Sequence, residues 1–247
     1  MDRHLSKAPI TEAVIDFQVK PRDGIGFVDV EKAFAKPDFG YYVKNPISEG
    51  TFAFSIAADG LPLPASTASS VVGLRLHSED EKYVLQVRSA GFTLSRLAPY
   101  ENWETLVQET KRLWALYVAR LTPVMITRIA TRYINNLRLP LHPGESFQLY
   151  INKLVDVPNG APQSVDAFLQ QFQLSDASTG ARVILTLSLK GLETDGRVPV
   201  ILDIDAFKLS NITPSDTAIW EDLTSLRRLK NDCFFGTLTD KAKELYK

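Results

Sequence analysis

The sequence predicts an α+β chain, a tandem duplication of one β-α-β(3–4)-α unit whose curved antiparallel sheet carries its helices on one face. Three observations predict it. The stretch ITEAVIDFQV at 10–19 recurs as ITRIATRYIN at 126–135, pairing Ile10 with Ile126, Thr11 with Thr127, Asp16 with Arg132 and Phe17 with Tyr133 at an offset of 116 residues. With a one-residue drift, the same offset lays NWETLVQETKRLWALYVARLT over IWEDLTSLRRLKNDCFFGTLT, so that Trp103 meets Trp220, Leu106 meets Leu223 and Leu121 meets Leu238. Between these anchors both halves hold short alternating apolar runs bounded by turn residues, the pattern of half-buried strands. A repeated unit constrains architecture more strongly than any single propensity. The halves are therefore expected at 1–123 and 124–247, fused into one pseudo-twofold domain.

In chain order, the opening strand at 10–19 is followed by a short helix, FVDVEKAFA at 27–35. Strands are expected at 50–57 (GTFAFSIA), 71–78 (VVGLRLHS), 82–89 (KYVLQVRS) and 91–97 (GFTLSRL). The long helix after them keeps Trp103, Leu106, Val107, Leu113, Trp114, Tyr117 and Leu121 at the three-to-four-residue spacing of a buried stripe. In the second half a strand at 126–135 leads to a short helix, FQLYINKL at 147–154, and to strands at 165–174, 182–190 and 198–207. Thr213 and Pro214 read as the N-cap and first residue of the second long helix, Gly236 as its end, and Thr239 as the cap of a terminal helix over DKAKELY. The stretches 59–70 and 156–164, rich in Pro, Gly and small polar residues, read as loops. Helices on one face leave the other face of the sheet open. The order is similar to the saddle of the TATA-binding protein, a likeness of topology that carries no function.

The repeat inverts charge while keeping its apolar skeleton. If the strands at 10–19 and 126–135 meet antiparallel at the pseudo-twofold axis, Ile15, Phe17 and Val19 face the helices, and Glu12 and Asp16 share the open face with Arg128 and Arg132. Strand alternation adds Arg75, Arg88, Asp203 and Asp205 to that face. Arginines converging there could hold a phosphate, a carboxylate or an acidic partner segment through bidentate contacts. The expected binding residues are Arg128, Arg132, Glu12, Asp16, Arg88 and Arg75. The plainer reading is that these charges pair with one another across strands. Asp203 and Asp205 likewise read either as an acid–base or cation-holding pair or as the outward half of an alternating strand.

Other chemistries find little support. The 28 basic and 29 acidic side chains nearly cancel, so no long-range field draws the chain to nucleic acid or to anionic lipid. His4, His77 and His142 lie far apart without partners at metal-ligand spacing, so no metal is expected. No nucleophile elbow, phosphate loop or dinucleotide fingerprint appears; no cofactor and no catalytic residue are expected, and the chain leans away from being an enzyme. Cys233, the single cysteine, reads as a small core residue and excludes an internal disulfide, which favours a reducing compartment. No run of about 18 apolar residues suggests a membrane helix, and the N-terminus lacks a secretory pattern. The expectation is a cytoplasmic protein.

APITEAVIDFQV at 8–19, LSRLAPYENWETL at 94–106, ITRIATRYINNL at 126–137 and LTDKAKELY at 238–246 together resemble a sporadically distributed bacterial family of uncharacterised proteins of about this length. The resemblance spans nearly the whole chain. It implies a bacterial cytosolic protein without assigned catalytic residues, and sporadic occurrence is typical of accessory genes such as toxin–antitoxin and phage-defence loci. The first functional expectation is accordingly a non-enzymatic module that binds a protein partner through its open sheet face or an edge strand. The alternative is binding or turnover of a small anionic ligand, such as a nucleotide, on the arginine-lined face. Nucleic acid is disfavoured, no membrane is implied, and a homodimer is compatible with either reading.

Overall fold

The computed structural model describes residues 5–36, 38–53, 66–142, 144–154, 157–158, 160–162, 164–190 and 196–247. Its strands are β1 (Ile10–Lys20), β2 (Tyr41–Ala53), β3 (Ser66–Ser78), β4 (Tyr83–Arg88), β5 (Gly91–Leu97), β6 (Met125–Leu139), β7 (Ala167–Ser175), β8 (Ala181–Lys190) and β9 (Val198–Ile212). The helices are α1 (Phe27–Phe34), α2 (Trp103–Leu121), α3 (Ala218–Thr237) and α4 (Asp240–Glu244). All nine strands join one sheet in the order β2-β3-β4-β5-β1-β6-β9-β8-β7, and every pairing is antiparallel. The α+β class is as the sequence predicts. Among the described residues no helix is long and apolar enough to cross a membrane.

At the middle of the sheet β1 pairs with β6, Val14 opposite Arg132 and Asp16 opposite Ala130. The two opening strands are thus neighbours, as charge inversion suggested. Alternation follows: Ala13, Ile15, Phe17 and Val19 are buried on the helix face with Ile129, Tyr133 and Leu137. Two threonines tie the seam, Thr131 Oγ1 donating to the Val14 carbonyl at 3.1 Å and Thr11 Oγ1 to that of Ile134 at 3.0 Å. Phe17 sits at the hub of the core, its ring 4.6 Å from Trp114 of α2 and 6.2 Å from Trp220 of α3. Trp114 Nε1 then donates to the carbonyl of Pro214 at 3.0 Å, so a helix of the first half is bonded to the segment that enters α3.

α2 begins where Asn102 Oδ1 accepts from the Thr105 amide at 2.8 Å, and α4 where Thr239 Oγ1 accepts from the Ala242 amide. Five local expectations are corrected. β2 begins at Tyr41, nine residues before the expected 50, since an edge strand tolerates Pro46; beyond Ala53 the expected strand lies outside the described residues. β3 begins at Ser66, inside the stretch read as a loop, and 59–65 lies outside the described residues. The expected helix at 147–154 shrinks to a 3-10 turn, Phe147–Leu149. α3 begins at Ala218 because Asp216 folds back in a turn, its amide donating to the Thr213 carbonyl and its side chain accepting from the Ala218 amide. Gly236 lies inside that helix, which runs to Thr237.

Candidate functional site

The pleat carries one cross-strand row over the open face: Asn45, Arg75, Gln86, Thr93, Asp16, Ala130, Phe207, Arg182 and Ser175 stand opposite one another in turn. The adjacent row includes His77, Val84, Ser95, Val14, Arg132, Asp205 and Ile184. These rows floor a concavity of about 470 Å³ at the seam, whose ionic lining is Arg88, Arg128 and Arg132 against Glu12, Asp16 and Asp205. Three cations and three anions leave it without net charge.

A chain of hydrogen bonds crosses five neighbouring strands here. Arg88 Nη2 of β4 donates to Thr93 Oγ1 of β5 at 3.2 Å, and Thr93 Oγ1 donates to Asp16 Oδ1 of β1 at 2.7 Å. Arg128 of β6 then bridges two carboxylates, Nη1 to Asp16 Oδ2 at 3.0 Å and Nη2 to Asp205 Oδ2 of β9 at 2.6 Å. The Arg128 guanidinium also lies 4.4 Å from the centre of the Phe207 ring. Arg132 takes Asp203 as its own partner, Nε to Oδ1 at 2.8 Å and Nη2 to Oδ2 at 2.5 Å, a bidentate fork. Burial pushes the Asp205 carboxyl up despite both arginines, and its Oδ1 is buried without a hydrogen-bond partner among the described residues.

Arg88 differs from the other two arginines. Its closest carboxylate oxygen is 3.9 Å away, and its side chain is 30% exposed. Its strand neighbours across the pairing are Gly91 and Gly73. A β-carbon on Gly73 would come within 2.6 Å of Arg88 Cγ and 2.4 Å of the Val87 carbonyl oxygen, so the side chain lies where only glycine leaves room.

Of the six expected binding residues, five line the concavity: Glu12, Asp16, Arg88, Arg128 and Arg132. Arg75 does not. It sits on the same row but three strands from Asp16, about 14 Å at ordinary strand spacing. The expected pairing is met by Asp16 with Arg128, whereas Arg132 turns to Asp203 rather than to Glu12. Register offers both, because Glu12 and Asp203 each stand opposite Ile134, one on either side of β6, and the Arg132 fork closes on the Asp203 side. Asp203 and Asp205 serve as arginine partners, the plainer of their two readings. Thr93 and Phe207 were not singled out in the sequence; a threonine and a phenylalanine on alternating strands carry no signal until their register is known.

His77 pairs with Glu81 at 2.6 Å between Nδ1 and Oε2, beyond the concavity. The Glu81 carboxyl is held down to about 2 by hydrogen bonds from Tyr42, then Lys44 and His77. His4 lies outside the described residues, and among those described no three His, Cys, Asp or Glu side chains gather where an ion could sit. Cys233 is half-buried against the core, and burial pushes its thiol up. Compared with protein-family models, the chain matches none; compared with curated proteins, it matches none.

Proposed function

We propose that the chain is a non-enzymatic binding module whose open sheet face receives a protein partner. The observation that carries this reading is the neutralised concavity: Arg128 and Arg132 are held by carboxylates at hydrogen-bond distance, so the face presents fixed charges of both signs instead of a positive well. A mixed, pre-organised array of this kind fits a partner segment that also carries both signs, and it sets specificity and register more than raw affinity. The resemblance to a sporadic bacterial family extends the proposal to a cytoplasmic accessory system of the toxin–antitoxin or phage-defence type. The sheet order around the β1–β6 seam supports the reading of 1–123 and 124–247 as duplicated halves forming a saddle.

The test is affinity capture from the native host with the wild type and a charge-reversed face, Arg132→Asp with Asp203→Arg. A stoichiometric partner retained by the wild type and lost by the reversed face is the expected outcome. Equal capture by both proteins rejects the face.

A second reading, a small anion such as a nucleotide, is favoured by Arg88, whose guanidinium lacks a carboxylate at hydrogen-bond distance. A ligand present at one hundred times its dissociation constant raises stability by roughly 2.7 kcal/mol. A thermal-shift series with inorganic phosphate and nucleotides therefore separates the readings. A shift abolished by Arg88→Ala supports the anion, and no shift with any of them leaves the partner.

A further inference from the structure

The two edges of the sheet are built differently. β2 carries Lys44, Pro46, Glu49 and Gly50, and its pairing to β3 is broken by two register shifts. These are the devices by which an edge avoids further pairing. β7, AFLQQFQLS, has none of them: no charge, no proline, and an unbroken nine-pair register with β8. Seven of its nine residues are exposed, and among the described residues no strand pairs with its outer side. Of the nine large apolar side chains exposed among the described residues, three sit here: Leu169 (74%), Phe172 (41%) and Leu174 (47%). The helix layer stops one strand short, for Val183 and Leu185 of β8, opposite Leu174 and Phe172, are buried. Such an edge is a template for strand addition.

We infer that β7 pairs antiparallel with β7 of a second copy of this chain, about a twofold axis through Gln171. Gln171 is the middle residue of the strand, so this centre is the one that overlaps all nine residues. It sets Phe168 against the partner's Leu174 and Gln170 against the partner's Phe172 on the helix side, and Gln171 against its own copy on the open side. Exposed Leu174 then lands beside the aromatic pair of Phe168 and Phe147, whose rings are 5.5 Å apart. The strand suits its own copy better than a charged partner segment. With no charge, it meets itself without repulsion, and the Gln171 amide, which both donates and accepts, meets its own copy at the axis. Since β7 contributes nothing to the concavity, this association leaves the open face free in both copies.

Sedimentation velocity across micromolar to near-millimolar concentrations tests the inference. The wild type associates reversibly to a dimer, whereas Gln171→Lys and Gln171→Glu, each placing like charges across the axis, associate about two- to fivefold more weakly. Mixing these two variants in equal amounts restores a dimer containing one of each. Both retain the wild-type circular dichroism spectrum and melting temperature, because position 171 is exposed on an edge strand. A wild type that stays monomeric throughout, variants that dimerise as tightly as the wild type, or a mixture no stronger than its components would each overturn the inference. None of these outcomes bears on partner capture by the open face.

Discussion

Lys230 is a cation placed where its charge is costly. It is 7% exposed on α3, with Nζ 3.5 Å from the centre of the Tyr133 ring and donating to neutral Asn231. Burial, aided by Arg227, pulls its pKa from 10.5 to about 7. The folded state therefore binds fewer protons than the unfolded chain between about pH 7 and 10.5, and stability rises with pH across that window. The burden on the fold is complete below about pH 7 and disappears above 10.5. Urea unfolding at pH 7 and pH 9 is expected to show a slope of up to about 1.4 kcal/mol per pH unit that Lys230→Met removes, the variant being the more stable at pH 7. Arg128 presents the opposite case. Replacing it with alanine strips the counter-charge from Asp16 and Asp205 together, at an expected cost of about 2–3 kcal/mol at pH 7, discounted from the buried-pair range for their partial exposure. Part of that loss returns as pH falls, since protonating the already raised Asp205 relieves it. Much of this was legible in the sequence at the level of which residues share a face. The choice of partner was not, because Arg132 reaches Asp203 through a β6–β9 register that no local pattern in either strand reveals.

Among the elements, the β3–β4 pairing depends on a single glycine. Gly73→Ala drives a methyl group into the Val87 carbonyl oxygen and the Arg88 stem, while Gly91→Ala meets nothing closer than 3.5 Å. Thermal unfolding is expected to show a loss of about 1–3 kcal/mol for the first and much less for the second. Asn102→Ala removes the α2 cap at a cost of about 1 kcal/mol, measured in the same way. The long helices and the strands with clean alternation could be read from periodicity. The reading fails where context is decisive: the strand is expected from residue 50, yet the sheet edge tolerates Pro46 and β2 starts at Tyr41, and Thr213-Pro214 forms a turn fixed by Asp216 rather than a helix start. Edge position and turn hydrogen bonding are tertiary facts, which short windows do not contain.

For the molecule as a whole, the seam between β1 and β6 decides how the chain holds together. Cutting between residues 123 and 124 would expose both central strands along their full hydrogen-bonding edges and remove Trp114 from Pro214. Fragments 1–123 and 124–247 are expected to show little cooperative unfolding separately and to regain the native circular dichroism spectrum when mixed in equal amounts. Fragments that each melt cooperatively at the native temperature would contradict this. The overall charge balance adds that binding to duplex DNA should be weak at ordinary salt. The three tryptophans of the chain stand on α2 and α3, two of them with rings on Phe17 at the centre of the sheet. Intrinsic fluorescence is thereby a built-in reporter of the joint: a red shift in emission marks the moment water reaches the middle strand, whichever end of the chain gives way first.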